Sequence, residues 1–229
     1  MTSSLPSRFQ VRRATAADAP AMAALYFTSF FPSHPFWVAF CPSGPQSERW
    51  WQECWRLSIE EDPAARNFVV IDKDARSEDG DGKGKAVAFS RWIEPQRDGS
   101  LEKVWPALPD HFDMELCGQF FGGMDENRKE LMGSRPHWFL ELLGTDEHYQ
   151  RHGIGHELVE WGCDRADADG LECYLDASMK GAPFYQKHFG FEAKKEVAVP
   201  KRPEVYGEFV CVSLVRPVME QSLVVGRWG

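Results

Sequence analysis

The sequence predicts an α/β fold in which helices cover a central sheet. Strand and helix signals alternate along the chain, which favours this architecture over a helix bundle or a sandwich. Residues 138–144 form an apolar run that only Glu141 interrupts, as expected of a central strand buried on both faces. The chain has 229 residues, of which 43% are hydrophobic, so a single domain over residues 1–229 is expected.

Five elements are predicted in the first part of the chain. Residues 9–13 alternate as a strand, and residues 15–31 show the apolar period of an amphipathic helix that ends at Pro32 and Pro35. The following elements are a helix over 46–60 and two strands over 67–71 and 85–92, joined by a polar, glycine-rich loop over 72–84.

Residues 93–136 are expected to form an insertion before the central strand. They contain several prolines and then a predicted helix over 110–132 that carries Phe120 and Phe121. Long insertions often carry substrate specificity, so this helix is a candidate lid over a substrate site. After the central strand, a helix is predicted over 154–168 and strands over 171–177 and 209–216.

The composition argues against several classes of protein. Acidic residues outnumber basic ones by 35 to 26, and the net charge of −9 opposes binding to nucleic acid. No apolar run approaches the roughly 18 residues that a membrane span needs, so no membrane association is expected. The six cysteines include no C-x-x-C pair, which favours buried, reduced thiols, and a cytoplasmic location is expected.

A stretch containing two glycines lies between the central strand and the next helix. It consists of Gln150, Arg151, His152, Gly153, Ile154, Gly155 and His156. A helix N-terminus exposes unpaired N–H groups and the positive end of its dipole, and glycines let an anion approach them. The stretch therefore predicts a phosphate-binding turn, although a tight turn without a ligand explains G-x-G alone equally well. No metal site is expected, because the glycines between the two histidines indicate a loop rather than a rigid helix face.

The same stretch resembles the Q/R-x-x-G-x-G/A signature of the GNAT superfamily of N-acetyltransferases. The resemblance continues through the strand over 171–177 and through GAPFYQKHFGF at 181–191, which is similar to the family's tyrosine-containing helix and its Gly-Phe end. A weaker similarity to fungal-type members extends to the N-terminal strand and helix and to the last strand.

The resemblance implies a mixed, twisted sheet of about six or seven strands in which the fourth and fifth strands splay apart around acetyl-CoA. It implies that pantetheine pairs with the backbone of Leu143, Gly144 and Thr145 like an added strand. It also implies that the pyrophosphate lies on the amides of residues 151–156, where Arg151 adds positive charge, and that Gln150 and Ser178 belong to the same cofactor site. The implied activity is direct transfer of an acetyl group to a primary amine of a small molecule or peptide.

Such a transfer requires a base, because an amine with a pKa near ~10 must lose a proton before it attacks. Glu141 is the leading candidate, since strand alternation is expected to place it on the same face as Leu143 and Thr145. A water chain, His34 and His137 are alternatives, and a structural role for Glu141 is nearly as good an interpretation.

Tyr185 matches the family tyrosine that protonates the departing CoA thiolate. It lies five residues before Gly190 where the usual interval is four, and one residue rotates a helical position by about 100°. If the side chain therefore points elsewhere, Ser178 is the second candidate donor.

Two other functions stay open. A protein of this fold that binds acyl-CoA without catalysis, or a protein or histone lysine acetyltransferase, would contain the same phosphate-binding turn. The expected partners are acetyl-CoA and an amine acceptor, and the chain is expected to be a monomer or a homodimer.

Overall fold

A mixed sheet of seven strands forms the centre of the structure. The computed structural model of the chain describes residues 5–76, 84–101 and 104–219. The strands are β1 (Phe9–Arg13), β2 (Ala65–Asp72), β3 (Lys85–Ile93), β4 (His137–Thr145), β5 (Glu172–Ser178), β6 (Glu192–Glu196) and β7 (Cys211–Arg216). They lie in the order β1-β2-β3-β4-β5-β7-β6, and within this sheet β4 and β5 are the one parallel pair.

Helices cover both faces of this sheet. They are α1 (Ala19–Phe30), α2 (Pro35–Phe40), α3 (Pro45–Glu60), α4 (Met114–Met132), α5 (Ile154–Asp169), α6 (Ala182–Phe189) and α7 (Pro203–Tyr206). The first four helices share one apolar cluster on one face, whereas α5 and α6 pack in a second cluster on the other face. Within the described ranges, no helix combines the length and the hydropathy that a bilayer crossing requires.

The predicted strands and long helices are confirmed, with corrections at several ends. Pro35 was expected to end a helix, but it occupies the first turn of α2, where a missing N–H costs nothing. The helix expected from residue 110 begins at Met114, because the Asp113 carboxylate caps it by accepting a hydrogen bond of 2.9 Å from the Leu116 amide. The predicted loop over 72–84 lies in part, at 77–83, outside the described residues.

Strand β6 is an element that the sequence pattern does not indicate. All five of its residues are exposed and four of them are charged, so the period-2 alternation of a half-buried strand is absent. It nevertheless pairs with β7 at the edge of the sheet. Charged side chains on an edge strand protect it against pairing with another chain.

The splay between the fourth and fifth strands is confirmed. β4 and β5 pair only from His137–Glu172 to Leu140–Leu175. Beyond that last pair, β4 continues to Thr145 and β5 continues to Ser178 without pairing to each other. We call the point where they separate the fork.

Candidate active site

A β-bulge places Glu141 at the fork. On β3, Arg91 pairs with Leu142 and Trp92 pairs with Leu140, so Glu141 is the extra residue of β4. The expectation that Glu141 shares a face with Leu143 and Thr145 was therefore wrong, because a bulge shifts the alternation by one residue. Glu141 lines a cavity under α1 to α4, whereas Leu143 packs in the clusters on the α5 face.

The Glu141 carboxylate belongs to a buried ionic network. It forms an ion pair with Arg91, whose side chain is 2% exposed, and Arg91 also pairs with Asp62 at 2.5 Å. Arg91 Nε donates a further hydrogen bond of 2.7 Å to Ser58 Oγ on α3. Breaking such a network leaves an uncompensated buried charge, so the network holds Glu141 in position.

Asp176 on β5 is a second carboxylate at the fork, and sequence reasoning missed it. It directly follows Leu175, just as Glu141 follows Leu140, and both carboxylates line the same cavity. Its Oδ1 accepts hydrogen bonds from Tyr174 Oη at 2.9 Å and from Ser213 Oγ at 2.6 Å. The available signal was an aspartate between the apolar residues Leu175 and Ala177 inside a strand, where this residue type is depleted.

The cavity above the fork has a volume of about 110 Å³ and is mainly aromatic. Helix α4 forms one wall through Phe120, Phe121 and Met124, and residues 101 and 105 of the preceding segment close another side. The hypothesis that this helix lies over a substrate site agrees with this placement. The remaining aromatic lining comes from Tyr26, Phe30, Trp37, Phe40, Trp51 and Phe139.

The turn before α5 has the backbone of an anion-binding site. Arg151 has a φ of 64° and Gly153 a φ of 84°, and Arg151 is the one non-glycine residue with positive φ among those described. A non-glycine residue in this region costs of order 1 to 3 kcal/mol, and such strain clusters at ligand sites. A Cβ on Gly155 would meet only the Phe184 ring, at 3.9 Å, so the space before the helix is open.

The other residues of the motif surround this turn. His152 Nδ1 lies 3.0 Å and 3.2 Å from the carbonyl oxygens of Gln150 and Tyr149, so this nitrogen carries the proton. His156 packs on the Phe189 ring with 4.7 Å between ring centroids. The described residues contain no group of three or more His, Cys, Asp or Glu side chains that could hold a metal ion.

The end of β4 is the second segment, besides the turn before α5, at which the sequence predicts acetyl-CoA to bind. Leu143, Gly144 and Thr145 pair with β3 on one side and lie beyond the last β5 pair on the other. Gly144 is required by packing, because a Cβ there would approach the Phe89 ring to 2.5 Å. The backbone polar groups on the β5 side of this segment therefore face the fork.

Tyr185 lies on α6, on the α5 face of the sheet. Its ring contacts Phe184 and Phe191, with centroid distances of 5.1 Å and 5.9 Å, and burial raises the pKa of the phenol. It is not among the residues that line the cavity, whereas Ser178 at the end of β5 is. The role of either hydroxyl in proton transfer stays a prediction.

The two alternative bases lie away from the fork. His34 caps α2, where its Nδ1 accepts a hydrogen bond of 3.1 Å from the Phe36 amide. His137 is buried at the opposite end of β4, and its Nδ1 lies 2.7 Å from the Arg135 carbonyl. Neither histidine lines the cavity.

Comparison with known protein families identifies the group to which this fold belongs. The chain belongs to the Acetyltransferase (GNAT) family, whose model matches residues 27–191.

Solved structures show the same fold at low sequence identity. Mosquito arylalkylamine N-acetyltransferase like 5b is 15% identical with a TM-score of 0.60, over 91% of this chain and 99% of that one. A histone acetyltransferase HPA2 and related acetyltransferase from Corynebacterium glutamicum is 19% identical with a TM-score of 0.55, over 94% and 99% of the two chains. The C-terminal condensation domain of Ebony is 10% identical with a TM-score of 0.65, over 94% and 100%. These likenesses concern the fold, which hosts more than one reaction.

Proposed function

We propose that the chain is an acetyl-CoA-dependent N-acetyltransferase that transfers an acetyl group directly to a primary amine in a ternary complex. The fork between β4 and β5 is the observation that carries this proposal. The unpaired side of β4 begins there, the cavity with its two carboxylates opens there, and the turn before α5 follows directly after β4.

The residues of this region suit acetyl-CoA, which supplies an acyl carbon activated by its thioester. The backbone of Leu143, Gly144 and Thr145 is the segment proposed to pair with pantetheine. The amides of residues 151–156 at the α5 N-terminus are proposed to bind the pyrophosphate. The open space at Gly155 supports this assignment. The similarity to fungal-type members stays a prediction.

Proton transfer is proposed to begin at the cavity side of the fork. The acceptor ammonium loses its proton to Glu141, directly or through water, and the amine nitrogen then attacks the acyl carbon. The new C–N bond forms as the C–S bond breaks, the attacking nitrogen gives up a second proton, and the CoA thiolate takes up a proton and leaves as the thiol. Because Glu141 is paired with buried Arg91, this carboxylate is held in place and a water relay is the easier route for the proton.

Tyr185 is proposed to stabilise the departing thiolate. Burial raises its pKa further above the ~8.5 of a thiol, so the phenol acts as a hydrogen-bond donor more readily than as a full proton donor. Ser178 is the alternative donor because it lines the cavity.

A screen of primary amines, lysine peptides and histones for release of the CoA thiol tests the proposal. Saturable thiol release with an N-acetylated product is the expected result. Tight CoA binding without turnover on any acceptor would favour a binding protein, and turnover confined to peptides or histones would favour a protein lysine acetyltransferase.

A further inference from the structure

We propose that the aromatic cavity is the acceptor site and that it takes a primary amine joined by a short chain to a hydroxylated aromatic ring. This inference rests on the proposed acetyltransferase function and deepens it. Asp176 binds the ammonium group, aromatic side chains hold the ring, and Tyr26 and Trp105 bind the ring oxygen.

The size of the cavity suits one small ring. The ring alone would fill the volume of about 110 Å³, since an apolar cavity that binds benzene has roughly 150 Å³, so the amine chain must lie at the fork, where the cavity opens. Helix α4 and the segment around Trp105 cover it. A compact amine fits this enclosed space better than a folded protein surface does.

The side chains of the cavity present flat apolar surfaces. Tyr26 stacks on Trp51 with 3.9 Å between ring centroids and 28° between planes. Trp105 meets Trp51 edge to face at 5.7 Å. Phe120 adds a buried ring from α4. Aromatic pairs gain about 0.5 to 1.5 kcal/mol beyond their buried area, so this lining favours a ring over an alkyl chain of the same volume.

Two polar atoms of this aromatic lining have no hydrogen-bond partner among the described residues. They are the hydroxyl of Tyr26, a residue that is 1% exposed, and the indole N–H of Trp105. A buried polar group without a partner destabilises the fold, and a ligand hydroxyl bound beside these two atoms would satisfy both of them. A ring hydroxyl accepts a hydrogen bond from the Trp105 N–H and forms a second hydrogen bond with the Tyr26 hydroxyl.

The charge at the fork selects an amine with a single cationic group. Asp176 and Glu141 lie together at one end of the lining, and Glu141 is already paired with Arg91. The other charged residues of the lining, Asp125 and Arg128, neutralise each other through an ion pair of 3.1 Å, and Asp125 also pairs with Lys129 at 2.6 Å. The two hydroxyls that donate to Oδ1 orient the Asp176 carboxylate. Among the described residues, the lining contains no row of carboxylates such as a polyamine requires.

Acceptor binding is measurable without turnover, because Trp37, Trp51 and Trp105 line the cavity. We expect tyramine to change the tryptophan fluorescence of the CoA-loaded protein. Phenylethylamine lacks the hydroxyl and should bind about 3- to 10-fold more weakly, the factor of one neutral hydrogen bond. Hexylamine lacks the ring as well and should bind more weakly again.

Tyr26→Phe tests the hydroxyl contact. This change should abolish the preference for tyramine over phenylethylamine and leave thermal stability unchanged or higher, because the hydroxyl has no hydrogen-bond partner in the part of the chain that the structure describes. Tyr206→Phe is the matched control: Tyr206 is buried outside the cavity, and its hydroxyl donates to the Pro200 carbonyl. It should keep the preference.

Asp176→Asn tests the ammonium contact. It should raise the acceptor KM by about 10- to 100-fold, the factor of one charge-assisted hydrogen bond, with CoA affinity unchanged. Asp167→Asn is the control, because Asp167 pairs with Arg216 on the α5 face, and it should leave the acceptor KM unchanged.

The outcomes separate this inference from the proposed function. If amines are acetylated but hexylamine or a lysine peptide binds as well as tyramine, or if Asp176→Asn leaves the acceptor KM unchanged, the cavity assignment is wrong while the acetyltransferase stands. If no amine releases thiol, the proposed function fails, and fluorescence still reports whether the cavity binds ring amines.

Discussion

Replacing Gly155 by aspartate should separate the stability of the protein from its affinity for acetyl-CoA. The added Cβ enters open space, 3.9 Å from the nearest atom of Phe184, so the fold tolerates it. A carboxylate in the first turn of α5 interacts favourably with the helix dipole and should stabilise the fold by about 0.3 to 1 kcal/mol. The same carboxylate lies where the pyrophosphate is proposed to bind.

The expected loss of affinity follows from charge repulsion at this turn. Two like charges about 5 Å apart repel by roughly 1 kcal/mol in water and roughly 3 kcal/mol at the effective dielectric constant of a protein surface. We expect the dissociation constant for acetyl-CoA to rise by about 10- to 100-fold, with the deficit shrinking as salt screens the repulsion.

Calorimetry and thermal unfolding of two variants provide the assay. Gly155→Ala adds the same Cβ without charge, so it should keep the affinity and raise stability by up to about 1 kcal/mol. A folded Gly155→Asp protein that binds acetyl-CoA like the wild type would refute the assignment of this turn. Equal loss of affinity in both variants would show that bulk, not charge, is the cause.

Three further perturbations test other parts of the structure. Tyr185→Phe should lower kcat at neutral pH by about 10²- to 10³-fold, the factor of one hydrogen-bond donor to a developing negative charge, with acetyl-CoA affinity unchanged, and full kcat with chemistry rate-limiting would assign the donor role to Ser178 or water. Arg91→Met should lower the free energy of unfolding by about 3 to 5 kcal/mol, because two buried carboxylates lose their counter-charge. Arg56→Met at an exposed cluster should have a much smaller effect, and equal urea midpoints of the two variants would contradict this. Burial lowers the pKa of His137, so its contribution to stability is present above the unfolded value near ~6.5 and is lost as pH falls below it. His137→Asn should therefore show a smaller drop in urea midpoint between about pH 7 and about pH 5 than the wild type. Equal drops would exclude His137 as a cause of the loss of stability in acid.

The sequence by itself determined the features that short-range physics controls. A buried run followed by two glycines and an amphipathic segment predicts a strand, a turn and a helix, and Gly153 does adopt the left-handed conformation at the start of α5. The periods of the long helices predicted their existence, because each buries one face. Their ends were less certain, since one cap such as Asp113 moves a boundary by several residues.

Long-range packing alone decided the composition of the cavity. Tyr26, Trp51 and Trp105 come from three separate segments, and no local pattern indicates that their rings meet. The need for glycine at position 162 also depends on long-range packing. A Cβ there would overlap the buried Trp92 indole, a contact that exists only once the helix has packed on the sheet.

The direction of the Glu141 side chain was also determined by the tertiary structure. Alternation holds while β3 and β4 stay in register, but the bulge between Leu140 and Leu142 rotates Glu141 towards Arg91 and the cavity. Asp176 becomes its neighbour only because β4 and β5 pair in parallel up to the fork. The sequence of a strand shows which residues alternate between its two faces. The pairing register, which depends on the neighbouring strands, determines which residues of different strands meet.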